Sequence, residues 1–318
     1  MSQNFKESLK PYIAEIDRAL LQLPVRNIPS LLNEPITYFL NMPGKRIRPL
    51  LTIITAEAYG NNLTNILPAA IAIEILHDFT LIHDDIMDED QFRRGLPTVH
   101  EKWDIGTAIL AGDAMVSLAY THLLSCKSPN LTEMLRTFTD GMFVVCAGQA
   151  LDKEFETKSD ITLNEYLDMI NKKTARLIAL AFELGYLGSV KETPHLNALV
   201  KMGHFIGLAF QIHDDLLDYT ADQQNLGKDV GSDWRQHKKS YIAIAYDEFK
   251  DKAIGHQSLF DFPSFEEAKD CLQKLGIFDK TKEVIHNYLG EAKKIAGEIE
   301  FSHPIFEQLI DFLEKRSY

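Results

Sequence analysis

The sequence predicts an all-α fold, a single large helical bundle with a buried centre. Three observations carry the prediction: apolar residues recur every three or four positions, prolines fall at helix-length intervals, and no stretch alternates β-branched with polar residues as a strand does. The period is plain in Leu67, Ile71, Ile75, Leu76 and Phe79, and again in Leu163, Leu167, Ile170, Leu177, Leu180 and Leu184. Prolines at 24, 29, 35, 43, 68, 97, 129, 194, 263 and 304 punctuate the chain, because proline removes an N–H and ends or kinks a helix. Local capping chemistry agrees. Ser128-Pro129-Asn130 precedes the run from Leu131, Thr162-x-x-Glu165 reads as a capping box, and Thr193-Pro194 opens the segment that reaches Asp218. About ten helices are expected. Segments 98–124, 131–155 and 195–219 are each long enough to span about 30 Å. No Gly-, Ser- or Pro-rich linker divides the chain, so residues 1–318 are expected to form one domain.

The chain has 318 residues, 45% hydrophobic and 25% charged, the composition of a globular protein. Its 33 Lys and Arg against 46 Asp and Glu give a formal charge of −13, which disfavours nucleic acid as a partner. An anionic substrate would therefore need a local cationic pocket or a bound metal. Cys126, Cys146 and Cys271 show no paired spacing and are expected to be core residues of a cytoplasmic protein. The most apolar stretches read as too short or too interrupted to span a bilayer.

Two acidic motifs stand out. Ile82-His83-Asp84-Asp85-Ile86-Met87-Asp88 is echoed by Ile212-His213-Asp214-Asp215-Leu216-Leu217-Asp218. On a helix, residues four apart share a face, so Asp84 and Asp88 point the same way, as do Asp214 and Asp218. Each motif follows about fifteen mostly apolar residues, and like charges at such a point are unfavourable unless a cation neutralises them. All-oxygen donors suit Mg²⁺. His83 and His213 either orient these carboxylates or simply pack. A helical di-iron protein is the competing metal reading, with Glu74-x-x-His77 as one mark. Its second match, Glu192-Thr193-Pro194-His195, carries a proline inside the motif and is a poor ligand pair.

The cationic counterpart is Gly44-Lys45-Arg46-Ile47-Arg48-Pro49 together with Arg93-Arg94-Gly95, the latter expected where the helix of the first Asp motif ends. Guanidinium forks there suit phosphate oxygens. Weaker candidates follow at Lys172-Lys173-Thr174, Gly227-Lys228-Asp229 and Lys238-Lys239-Ser240.

The order and spacing of these five motifs resemble the trans-isoprenyl diphosphate synthases over nearly the whole chain. The resemblance implies an all-α bundle around a central cavity, usually a homodimer, that joins an allylic diphosphate (dimethylallyl, geranyl or farnesyl) to isopentenyl diphosphate head to tail. It implies three Mg²⁺ ions, with Asp84, Asp88 and Asp214 as ligands, Asp85 among the catalytic residues, and Asp215 and Asp218 in support. Lys173, Lys228 and Lys238 would complete the diphosphate grip, with Lys239 an alternative to Lys238. Arg93 would bind the allylic substrate, and Lys45, Arg48, His77 and Arg94 isopentenyl diphosphate. The Lys173 main chain, Thr174 and Gln211 resemble the groups that face the allylic cation. Pro43 stands where a second glycine is common, and Ile242 where a proline is.

In such enzymes the product grows into a tunnel floored by side chains one turn before the first Asp motif, here Phe79 and Thr80. A bulky Phe79 beside a small Thr80 resembles geranylgeranyl synthases and implies a twenty-carbon product, with fifteen carbons as the alternative. A terpene cyclase shares the fold type but needs neither a second Asp-Asp-x-x-Asp motif nor the Lys45 and Arg48 group. Intact Asp84, Asp88, Asp214, Arg93 and Arg94 speak against a silent regulatory subunit.

Overall fold

The computed structural model describes residues 3–23, 28–189, 192, 194–221, 230–250 and 258–314. In chain order the helices are α1 (Gln3–Leu21), α2 (Ser30–Leu40), α3 (Ile47–Ala58), α4 (Leu63–Met87), α5 (Val99–Lys102), α6 (Ile105–Leu124), α7 (Leu131–Thr157) and α8 (Leu163–Ile170). A π turn (Asn171–Ala175) runs directly into α9 (Arg176–Leu187). Then follow α10 (Leu196–Thr220), α11 (Ser232–Arg235), α12 (Tyr241–Lys250), α13 (Phe265–Lys274), α14 (Ile277–Glu298) and α15 (Pro304–Glu314). The described strands are β1 (Phe92–Arg93) and β2 (Leu96–Pro97), a two-residue antiparallel ribbon. The all-α expectation is met.

The chain divides into two compact units: Met1–Met142 with Leu177–Val200 and Ile299–Leu309, and Phe143–Arg176 with Lys201–Glu298 and Ile310–Tyr318. In the first unit α4 packs most extensively on α6 and α3. It is apolar on every side, from Ile66 to Ile82, which is how a helix surrounded by others reads. Asn62 starts it by accepting the Asn65 amide at 3.0 Å. In the second unit α12 buries Ile242, Ala243, Ile244 and Tyr246 and packs on α14.

Four expectations need correction. Segment 98–124 is two helices: Asp104 caps α6 by accepting the Thr107 amide at 2.8 Å, which forces a break after α5. Pro35 and Pro68 lie inside α2 and α4 rather than between helices. Each removes one ladder bond, and the burial around it outweighs the loss. Cys126 and Cys271 are buried, as core cysteines should be, but Cys146 is exposed on α7. Finally, α4 and α6 are both long and apolar enough to cross a membrane by length and composition, although 67% of the apolar window of α4 is buried in the protein, against 39% for α6.

Candidate active site

The first group of predicted site residues lies in the first unit, around the C-terminal half of α4. Asp84 is half-buried and Asp88 exposed as the last turn of α4 reaches solvent, while Asp85 points inward and is 1% exposed. Arg93 donates through Nε to Asp85 and lies 3.4 Å from Asp90. Burial pushes the Asp85 carboxyl up to about 7 against the pull of Arg93. The helix ends at Met87, so Arg93 and Arg94 do not sit on the helix end the spacing suggested. They occupy the β1–β2 hairpin, where Arg94 takes a left-handed φ of 54°. Five residues separate Asp88 from Arg94, enough for the chain to turn back toward α4.

The basic cluster before α3 splits by role. Lys45 is exposed and Arg48 half-buried in the first turn of α3. Arg46 between them is 3% exposed and wholly committed: it bonds Asp17 and Glu74 at 2.9 Å each and the Leu40 and Met42 carbonyls at 3.3 and 3.2 Å. The Glu74 of the apparent di-iron motif is therefore the partner of a buried arginine. His77, one turn on, has its pKa driven well down by burial and by the fields of Arg48, Arg94, Arg93 and Arg46. Three predicted site cations and one unpredicted one thus act on a neutral imidazole.

Phe79 is buried at 9% exposure, and Thr80 turns its hydroxyl back to the His77 carbonyl at 2.7 Å. His83 packs: its ring meets the Phe79 ring edge-on at 4.8 Å between centroids. It also lies where a Cβ on Gly112 of α6 would stand 2.2 Å from its Nε2.

The second group lies in the second unit. The π turn carries Lys173 and Thr174, and such turns recur at functional sites. Two glycines clamp it: a Cβ on Gly148 of α7 would stand 2.3 Å from the Lys173 amide nitrogen, and one on Gly207 of α10 2.4 Å from the Ala175 Cα. Lys173 pairs with Asp152 of α7, and Thr174 donates to the Gln211 side chain at 2.9 Å. Gln211 in turn donates to Asp215 at 3.0 Å.

Within the second Asp motif the carboxylates part company. Asp215 is 5% exposed and accepts from Gln211, from the Tyr166 hydroxyl and from the Tyr241 amide at 2.8 Å. Burial raises its pKa and these donors and Lys238 oppose the rise. Asp218 caps the start of α11, accepting from the Ser232 amide and hydroxyl at 3.2 and 2.8 Å and from the Asp233 amide at 2.9 Å. Asp214, which precedes both in sequence, is half-buried. Lys238 is exposed, and Lys239 lies 5.9 Å over the Phe260 ring. Lys228 lies outside the described residues.

The donor chemistry fits Mg²⁺. Among the described residues no three His, Cys, Asp or Glu side chains form a ready-made metal cage. A hard cation that keeps water and shares phosphate oxygens needs only one or two carboxylates, which half-buried Asp84 and exposed Asp88 offer within the first unit and half-buried Asp214 within the second. Sequence reasoning missed Arg46, Asp152 and Gln149. The roles of Arg46 and Asp152 carry no local signal, because a partner distant along the chain, Glu74 for Arg46 and Lys173 for Asp152, defines the role of each. Gln149, 7% exposed beside Gly148, has neither polar side-chain atom hydrogen-bonded among the described residues.

Comparison with known proteins converges on one group. The chain is 35% identical over 323 residues to the geranylgeranyl diphosphate synthase of Methanosarcina mazei, covering 100% of both. It is 38% identical over 328 residues to the geranylfarnesyl diphosphate synthase of Natronomonas pharaonis, covering 93% of each. It superposes on the crystal structure of geranylgeranyl pyrophosphate synthetase from Pyrococcus horikoshii with a TM-score of 0.89 at 32% identity over 99% of both chains. Residues 29–274 match the polyprenyl synthetase family model, and with full-length likeness in sequence and fold the chain belongs to the polyprenyl synthetase family.

Proposed function

We propose that this prenyltransferase condenses isopentenyl diphosphate with an allylic diphosphate, head to tail, to give an all-trans prenyl diphosphate of twenty carbons. The observation that carries the reading is that Arg93 pairs with Asp85 and Arg94 faces Asp78 at 3.7 Å, which sets both guanidiniums beside the stretch of α4 that runs from His77 to Asp84 and Asp88. Guanidinium groups so placed suit a diphosphate, and no catalytic base is needed there.

Mg²⁺ held by Asp84, Asp88 and Asp214 would neutralise the charge of the allylic diphosphate and make it a better leaving group. The chain's own residues do the rest. Arg93 and Lys173 hold diphosphate oxygens, with Lys228 and Lys238 completing the grip. Lys45, Arg48, His77 and Arg94 hold isopentenyl diphosphate. The Thr174 hydroxyl and Lys173 carbonyl present negative dipole ends to the allylic carbon as it becomes cationic, and Gln211 fixes the Thr174 hydroxyl at 2.9 Å. Phe79 and Thr80 floor the tunnel and set the length. The match to residues 29–274 and the full-length likeness to one relative support residues 1–318 acting as one catalytic domain.

We infer a homodimer in the cytoplasm. Ile105, Ile109 and Leu110 of α6 are 56%, 43% and 56% exposed, an apolar strip suited to a second copy, and three unbridged thiols suit a reducing compartment.

The test is incubation with radiolabelled isopentenyl diphosphate, each allylic primer in turn and Mg²⁺, followed by product sizing. A twenty-carbon product, lost in Asp84→Ala, is expected. No incorporation with any primer would remove the reading.

A further inference from the structure

Asp78 follows His77 on α4, and no sequence motif marks it. Its side chain is 0% exposed, and among the described residues neither carboxylate oxygen has a hydrogen-bond partner. Instead it is bracketed. Oδ1 lies 3.7 Å from Nη2 of Arg94 and Oδ2 3.8 Å from Nη1 of Arg46. The two guanidiniums differ in what they have left to give. Arg46 is tied down by Asp17, Glu74 and two carbonyls, and acts as a fixed wall. Arg94 is 22% exposed, its Nη1 has no hydrogen-bond partner among the described residues, and it stands 6.0 Å over the Phe39 ring. Gly44 makes room for both, since a Cβ there would stand 3.1 Å from the Arg46 Nη1 and 3.3 Å from the Arg94 Nη1.

We propose that Asp78 is the positioning residue for Arg94: its buried side chain, bracketed by Arg46 and Arg94, sets where the guanidinium stands without consuming its N–H donors, which stay available to a diphosphate. The inference rests on the reading of Arg94 as a contact for isopentenyl diphosphate. At 3.7 Å, Asp78 Oδ1 is too far from Arg94 Nη2 to take a hydrogen bond, so the guanidinium keeps its N–H groups, as an anion-receiving arginine requires. The left-handed backbone of Arg94, φ 54°, is a strained conformation that packing against Asp78 helps to hold.

The charged groups acting on Asp78 are Glu74 from α4, Arg46 and Arg48 from the loop and first turn of α3, and Arg94 from the hairpin. Burial and Glu74 raise the Asp78 pKa to about 8, and Arg94, Arg46 and Arg48 hold it from rising further. A diphosphate on Arg94 cancels part of that cationic field, so Asp78 gains proton affinity on binding. Where Asp78 is ionised, near and above pH 8, binding therefore takes up a proton, and affinity for isopentenyl diphosphate falls as pH rises through the Asp78 value.

The test measures KM for isopentenyl diphosphate and for the allylic diphosphate from about pH 6.5 to 9, with the wild-type enzyme, Asp78→Asn and Asp78→Ala. Wild-type KM for isopentenyl diphosphate should climb above about pH 8, and the climb should vanish in Asp78→Asn, which cannot titrate. Asp78→Ala should raise that KM about tenfold at neutral pH and leave the allylic KM within about twofold. An unchanged climb in Asp78→Asn, or equal effects on both substrates in Asp78→Ala, overturns the inference. If Asp78→Ala does not fold, the isosteric Asp78→Asn profile decides alone. A wild-type enzyme that makes no condensation product defeats the substrate reading instead, so the two failures are distinguishable.

Discussion

Gly148 of α7 packs against the Lys173 backbone so closely that a methyl group on it would stand 2.3 Å from the Lys173 amide nitrogen and 2.7 Å from its Cα. Alanine is intrinsically about 0.5–1 kcal/mol better than glycine inside a helix. Contact with backbone, which cannot rotate aside, reverses that preference. Gly148→Ala is expected to shift the π turn, moving the Lys173 carbonyl and the Thr174 hydroxyl. A displacement of about 1 Å at reacting groups costs about 100-fold in kcat. Steady-state kinetics beside far-ultraviolet circular dichroism checks this: helicity should persist while turnover falls.

Phe79 and His83 form an edge-on ring pair one turn apart on α4, with His83 seated against Gly112. Phe79→Ala removes the proposed floor and should lengthen the product, read by chromatography of the dephosphorylated alcohols. An unchanged product places the floor elsewhere.

Arg46 neutralises Glu74, 3% exposed, and faces Asp78, 0% exposed. Arg46→Ala strands the Glu74 carboxylate, and breaking a buried pair costs about 3–5 kcal/mol. Arg48→Ala, at a half-buried position two residues on, should cost far less stability and raise KM for isopentenyl diphosphate instead. Thermal unfolding and kinetics on the two variants separate the roles.

Asp78 also makes stability pH-dependent. Its folded value, about 8, lies above its ordinary value of 3.8, so the folded state binds the extra proton. Stability from this group is full below about pH 4 and is lost as pH rises to about 8. The loss should be on the order of a few kcal/mol, and Asp78→Asn should flatten it in urea titrations across that range.

Much of the molecule was legible in the linear chain because its signals are local. The 3.6-residue period marks the helices, and the Thr162 and Glu165 capping box starts α8 as expected. The spacing of Asp84 with Asp88 and of Asp214 with Asp218 needs only helical geometry. The charge clusters around Arg48 and Arg93 needed only proximity in sequence.

What the chain alone did not determine is how identical residues divide their tasks. The run 163–184 reads as one helix, yet it contains a π turn where Gly148 and Gly207 close in from α7 and α10. Arg46 and Arg48 look alike in sequence, but only Arg46 meets Asp17, Glu74 and Asp78. The two Asp-Asp-x-x-Asp motifs look alike too. In the first, Asp85 faces Arg93 and Asp88 reaches solvent; in the second, Asp215 is buried among three donors and Asp218 caps a helix. Periodicity and charge are properties of neighbours along the chain, so sequence carries them. Burial and pairing depend on residues brought close by packing, and for these the tertiary structure decides.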